Sequence, residues 1–318
     1  MLSKAKNKVI YIGSPEGFES TKNILGAVAN VVNVVANAKN LSCELQDAIA
    51  LLDASMQTRI TNLMLDNALN LRIISCATTG SDHIERDVLN KRGIPVRTLR
   101  EDSNFLLSLT PAAELSWLLL MACARQLPLA INHVLNGGWR REMFPGMMLN
   151  GRRLGLIGCG RIGSWMSRYA RAFGMEVIGY DPNLSKFPET IQKASLDEVY
   201  SSSDFISVHV HLTSETAKLI DKNAFSHMKQ GVVFINTSRG GLVDEMELLE
   251  ALRSGKIGAA GLDVLDGEPD INNHALVEYA RLNSNLLITP HCGGFSPDAV
   301  EKVCAVAAEK IRKHIVES

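Results

Sequence analysis

The segment from Leu154 to Pro182, LGLIGCGRIGSWMSRYARAFGMEVIGYDP, leaves little freedom in how it folds. A short apolar run stops at Gly158, further glycines follow at Gly160 and Gly163, and a helix-length stretch leads to a second apolar run ending at Asp181. Strand, glycine turn, helix and strand in that order form a βαβ unit, whose crossover makes the two strands parallel and lays the helix on the sheet.

The alternation extends over almost the whole chain. KVIYIG, VVNVV, IALLD, LRIISCA and IPVRTL read as strands in the first hundred residues, and RLGLIG, EVIGYD, FISVHV, VVFINTS, GAAGLDVL and LLITPH as six more after Arg152. Between the two sets, Thr110 to about Asn136 reads as one long helix, apolar enough to be buried on most sides. NGGWRREMFPGMMLNGR follows as a broken connection. The segment from Ser296 reads as a closing helix, with Ser296 as N-cap and Pro297 at the first helical position. The expected fold is α/β, with two doubly wound parallel-sheet domains.

At 318 residues and a formal net charge of −1, the chain can form two ordinary cores but carries no electrostatic footprint for nucleic acid or an acidic membrane. A small metabolite is the expected partner. The six cysteines include no C-x-x-C pair, which points to a reducing, cytoplasmic setting. The start MLSKAKNKVIYIG lacks the apolar core of a signal peptide, and the apolar part of AAELSWLLLMACARQL, which contains Glu114 and is cut off by Arg125, reads as too short for a membrane span.

The G-x-G-x-x-G spacing suits a dinucleotide. Gly158 permits the tight turn, Gly160 lets backbone approach a pyrophosphate, and Gly163 lets the helix pack on the strand. Asp181, at the end of the next strand, can accept hydrogen bonds from ribose hydroxyls and would repel a 2′-phosphate, so NAD is expected over NADP. Three polar residues then follow apolar strands: Arg239 after VVFINTS, Glu268 after GLDVL and His291 after LLIT. In an open parallel sheet that edge is where ligands bind. His291 can deliver a proton to a carbonyl oxygen and recover it, Glu268 can orient the imidazole, and Arg239 can fork onto a carboxylate. Gly293 and Gly294 would leave room beside the histidine. His209 and His211 share a strand face, but no third ligand is spaced to join them, so no metal is expected.

These stretches together, GLIGCGRIG with YDP, SVHVHLTSET, FINTSRGGLVDE, AAGLDVLDGEP and TPHCGGFSPDA, resemble the D-isomer-specific 2-hydroxyacid dehydrogenases, 3-phosphoglycerate dehydrogenases among them. The resemblance implies a Rossmann NAD-binding domain over residues 105–294 and a flavodoxin-like substrate domain over 1–104 and 295–318. It implies Arg239, Glu268 and His291 as catalytic residues, interconverting a D-2-hydroxy acid and its 2-oxo acid. NAD contacts are implied at Gly158, Gly160, Arg161, Ile162, Gly163, Asp181, His209, Thr213, Thr237, Ser238, Asp263 and Gly293. CATTGSDHIE is similar to the loop that holds the substrate carboxylate, here Thr78, Thr79 and Gly80 with Arg239. A homodimer through the helix and arm near 110–150 is implied as well, with no room after the closing helix for the regulatory domain of longer relatives.

The chain departs from the family pattern at His211, where a proline is usual, and in RTLREDSNFLLSLTPAAE, which brings Arg100, Glu101 and Asp102 toward the expected substrate site. Arg100 could meet a phosphate there. The other reading is an NAD-sensing scaffold on the same fold, which sequence does not distinguish because such proteins can keep the catalytic residues.

Overall fold

A computed structural model describes residues 7–317 and divides them into two compact units, one of residues up to 109 together with those from 295 onward, the other of residues 110–294. In the first unit the strands are β1 (Asn7–Ile12), β2 (Ala29–Asn33), β3 (Ala50–Asp53), β4 (Ile73–Cys76) and β5 (Val96–Arg97). The connecting helices are α1 (Pro15–Leu25), α2 (Ala38–Glu44), α3 (Asn62–Asn67) and α4 (Asp87–Arg92), followed by the single turn α5 (Ser103–Leu106). All strand pairs are parallel, in the order β2-β1-β3-β4-β5, the flavodoxin-like order.

Neighbouring residues on each strand point to opposite faces, and both faces are apolar. Ile10, Ile12, Leu51 and Ile74 enter one core cluster, while Val9, Tyr11, Leu52 and Ile73 enter another. The second cluster is closed by the final helix, spanning Pro297–Glu317, whose Cys304, Ala307, Ala308 and Ile311 are fully buried. Ser75 Oγ donates to the Ala307 carbonyl at 2.9 Å. Pro297 opens that helix as expected, but Ser296 does not cap it with its side chain. Val300 N–H donates to the Ser296 carbonyl, while the Ser296 hydroxyl is buried without a partner.

The second unit begins with α6 (Pro111–Ala124) and α7 (Leu127–Leu135). The single long helix expected here is therefore two. Pro128 has no N–H to give to Ala124 and would collide with that carbonyl, so the chain turns through Gln126 at φ 48° and the freed Ala124 carbonyl accepts Met147 N–H. By length and composition alone Ser103–Ala124 would suffice to cross a bilayer, which the sequence reading did not allow; α6, however, buries Leu119, Leu120 and Cys123 in a protein core. α7 buries none of its residues, contrary to expectation.

The rest of this unit alternates as β6 (Arg153–Ile157), α8 (Arg161–Ala172), β7 (Glu176–Tyr180), β8 (Gln192–Lys193), α9 (Leu196–Ser202), β9 (Phe205–Val208) and α10 (Lys222–His227). It ends with β10 (Val232–Asn236), α11 (Glu245–Arg253), β11 (Ile257–Leu262), α12 (Ala275–Leu282) and β12 (Leu286–Ile288); the final helix of the first unit is α13. The seven parallel strands run β12-β11-β10-β9-β6-β7-β8. This is the doubly wound dinucleotide order with one strand added beside β11, and the order reverses between β6 and β9.

Candidate active site

The reversal point is built from glycines whose roles can be tested by asking what a Cβ would strike. At Gly158, φ 93°, a Cβ would lie 2.3 Å from the His209 carbonyl oxygen at the end of β9. At Gly163 it would lie 2.3 Å from the Gly158 carbonyl oxygen, so α8 reaches the strand only without a side chain. At Gly160 it would meet nothing within 4 Å, leaving open the approach to the first turn of α8. The backbone N–H groups of a twelve-residue helix therefore begin beside a bare glycine, as a pyrophosphate requires.

Asp181 closes this loop on the other side: Oδ2 accepts Cys159 N–H and Oδ1 accepts Asn183 N–H, both at 3.0 Å. Burial pushes the Cys159 thiol up to about 12, with Asp181 adding to the shift, so this cysteine stays protonated. His209 Nε2 meets Ser207 Oγ at 2.8 Å while Nδ1 is buried without a partner. Burial, with Arg161 adding its charge, takes the His209 pKa down to about 3 and keeps the ring neutral. An orphaned ring nitrogen, an open glycine and a helix N-terminus fit a bound dinucleotide. Ile162 packs partly into the core beneath the loop.

Arg239, Glu268 and His291 follow β10, β11 and β12, three adjacent strands of the sheet. His291 Nδ1 and Glu268 Oε1 are in direct contact, with side chains 32% and 28% exposed. Glu268 Oε2 accepts Leu265 N–H at 3.0 Å, so one oxygen holds its own loop and the other holds the imidazole. His291 has φ 52°, a left-handed conformation that costs an L-residue roughly 1–2 kcal/mol. Asp263 sustains it from below. This buried carboxylate accepts Thr289 Oγ1–H at 2.5 Å and Cys292 N–H at 2.9 Å on Oδ1, and Gly293 N–H at 2.7 Å on Oδ2.

Asp263, expected at the cofactor, also engages the loop that carries His291 with both oxygens. Gly293 is buried, and a Cβ there would sit 2.9 Å from Asp263 Oδ2. Its lack of a side chain lets the loop approach the carboxylate.

Arg239 sits in a turn fixed by Asn236, a buried polar residue ending an otherwise apolar strand. Asn236 Nδ2 donates to the Arg239 carbonyl at 2.8 Å, and its Oδ1 accepts Ser238 N–H at 3.0 Å. Ser238 Oγ–H goes to the Val208 carbonyl at 2.8 Å. The Thr237 hydroxyl is buried and donates to Ser116 Oγ at 2.7 Å, since the Ser116 proton is committed to Ala112. Its side chain therefore ties this turn to α6. Thr213 lies in an exposed turn whose hydroxyl meets Thr216 Oγ1 at 3.1 Å.

Thr78, Thr79 and Gly80 belong to the first unit, after β4. Thr78 Oγ1–H closes onto the Gly80 carbonyl at 2.7 Å, so what this loop can offer an anion is backbone N–H. Of the charged residues in the longer segment, Arg100 is exposed, Asp102 pairs with Lys310 at 2.5 Å, and Glu101 meets Arg97 at 3.4 Å. Sequence reasoning missed Asn236, Gly240, Glu245 and His274. Asn236 alone had a signal, an amide closing an apolar strand.

The sequence profile of the D-isomer specific 2-hydroxyacid dehydrogenase NAD binding domain matches residues 117–293. Hydroxypyruvate reductase of Thermotoga maritima is 33% identical over 307 residues, 96% of this chain and 98% of that protein. D-3-phosphoglycerate dehydrogenase of Methanocaldococcus jannaschii is 36% identical over 260 residues, 80% of this chain but 48% of the relative, so the chain spans about half the length of relatives of that kind. Among solved structures, D-lactate dehydrogenase from Aquifex aeolicus, complexed with NAD and lactic acid, superposes with a TM-score of 0.82 at 27% identity, covering 97% of this chain and 96% of the other. The TT0316 protein of Thermus thermophilus gives a TM-score of 0.85 at 31% identity, covering 98% and 97%.

Proposed function

The chain belongs to the D-isomer-specific 2-hydroxyacid dehydrogenases, NAD-dependent oxidoreductases, and from that premise we propose that it reduces a small unphosphorylated 2-oxo acid of the hydroxypyruvate or glyoxylate type. The observation that carries the reading is the direct contact between His291 and Glu268, beside Arg239 on the next strand of one sheet edge. NAD supplies or accepts the hydride. Residues Gly158 to Gly163 with the α8 N-terminus hold its phosphates, and Asp181 accepts from the ribose hydroxyls. Arg239 grips the substrate carboxylate and polarises the carbonyl. His291, its Nδ1 held by Glu268, delivers the proton to the carbonyl oxygen from its other ring nitrogen and takes it back in the oxidative direction.

The unphosphorylated substrate is favoured by the end-to-end match with a hydroxypyruvate reductase, against the half-length match with phosphoglycerate dehydrogenases. We also propose a homodimer in the cytoplasm. Support for the dimer comes from α7, whose Leu127, Ile131 and Val134 are half-exposed, and from a groove lined by Leu118, Met121, Val134, Trp139 and Phe144. Support for the compartment comes from six free cysteines. The deciding experiment follows NADH oxidation by absorbance with glyoxylate, hydroxypyruvate, pyruvate, branched 2-oxo acids and 3-phosphohydroxypyruvate. The expected result is the highest kcat/KM with hydroxypyruvate or glyoxylate. A phosphorylated winner would overturn the substrate assignment and bring Arg100 into the site. NADH binding with no turnover on any of them would favour the NAD-sensing scaffold.

A further inference from the structure

Glu268 can orient His291 only if its own loop is held, and that loop, running from Asp263 to His274, joins β11 to α12 with no regular structure of its own. One carboxylate spans it. Glu245, the first residue of α11, turns inward from the helix: its Oε1 accepts Asp266 N–H at 2.9 Å near the start of the loop, and its Oε2 meets His274 Nε2 at 3.0 Å at the end. Both side chains are 14% exposed.

A glutamate in the first turn of a helix is well placed facing water, where the helix dipole favours it. Here it is desolvated, and burial raises its pKa despite the opposing His274 and Asp266 N–H contacts, with the nearby Asp266 charge pushing the same way as burial. His274 Nδ1 is buried without a partner, so a ring with its proton on Nε2 satisfies the pair. The opposite side of the loop is pinned sterically. A Cβ on Gly240, directly after Arg239, would lie 2.1 Å from Asp266 N. Leu265 and Asp266 are thus wedged between the Arg239 turn and Glu245, and Leu265 N–H in turn holds Glu268 Oε2.

We propose that Glu245 is a positioning residue for the reaction: clamped by His274, its carboxylate fixes the 263–274 loop and so the contact of Glu268 with His291. This rests on the acid/base reading of His291, and the test separates the two. Protein labelled at the histidine imidazoles is titrated by NMR without substrate, in the wild type and in Glu268→Gln, Glu245→Ala, Glu245→Gln and His274→Ala. The same proteins are assayed for melting temperature, NADH affinity and turnover.

Loss of the Glu268 charge should move the midpoint of the His291 imidazole signal to lower pH, since an adjacent carboxylate favours imidazolium. Glu245→Ala should move it the same way by roughly half that amount and cut kcat about tenfold, with KM for NADH unchanged. Glu245→Gln, which keeps an acceptor for Asp266 N–H but turns an N–H donor toward His274, should restore only part of both. A Glu245→Ala protein that melts earlier while His291 titrates as in the wild type would reduce Glu245 to a structural cap and end the proposal. Should that variant fail to fold, His274→Ala decides by the same readout, since it releases one of the two oxygens. If Glu268→Gln itself leaves the His291 titration unmoved, the failure lies in the acid/base reading instead.

Discussion

Of the three histidine–carboxylate pairs among the described residues, two lie one in each unit beyond the carboxyl ends of parallel strands and differ in access. In the first unit His83 Nε2 meets Asp53 Oδ2 at 2.5 Å at the end of β3. Asp53 is fully buried and its other oxygen accepts Ser55 N–H at 2.8 Å and Met56 N–H at 3.1 Å; the His83 side chain is 11% exposed, with Nδ1 buried. In the second unit His291 keeps about a third of its side chain in contact with solvent. The residue types are the same, but a sealed imidazole can only brace a turn, whereas one that keeps part of its ring open to solvent can pass a proton. The motif of histidine plus carboxylate carries no function until burial is known.

Three experiments would break or sharpen that contrast. The largest effect is expected from His291→Ala, which should cut kcat by about 10²–10⁴ and leave NADH binding close to wild type, measured by fluorescence titration. Equal loss of binding and turnover would contradict its assigned role. Next comes Asp53→Ala, which strands a buried histidine and should cost about 3 kcal/mol in urea unfolding of the first unit. Its kcat should stay within about threefold if His83 only braces a turn; a large loss of kcat in a stable protein would erase the distinction between the pairs.

The smallest effect concerns His209, partly buried after β9. Its pKa falls from an ordinary 6.5 to about 3 on folding, so the unfolded chain binds the extra proton between those values. The stability it contributes is therefore complete above pH 6.5 and is lost as pH falls toward 3. Replacing His209 by Gln should reduce the loss of unfolding free energy between pH 7 and pH 5, measured by urea titration, by about 2 kcal/mol. An unchanged slope would mean that the ring is protonated in the folded protein.

The strands and the residues at their ends were legible in the sequence because each is a local event, a β-branched run stopped by a polar residue. Gly158, Gly160 and Gly163, Arg239, Glu268 and His291 were found that way. β8 was not, because Gln192 and Lys193 are exposed and give no apolar signal. The break between α6 and α7 was overlooked because leucine and isoleucine on both sides of Pro128 hid a backbone constraint under a hydrophobic pattern. Glu245 and the loop contacts of Asp263 and Thr237 gave no sequence signal for a different reason. Their partners lie far away in sequence, and nothing in DEMELLE distinguishes a glutamate turned inward from one left in water.

The placement of α13 has a consequence for synthesis. Val9, Tyr11, Leu52 and Ile73 share their core cluster with Val300, Cys304, Ala307 and Ile311. As the chain leaves the ribosome, the first sheet emerges with this apolar face covered by α1 alone and stays so until the entire second unit has been translated, on the order of ten seconds at ordinary elongation rates. During that interval the nascent polypeptide presents an adhesive surface to chaperones and to neighbouring nascent chains, so what the ribosome makes first is completed last.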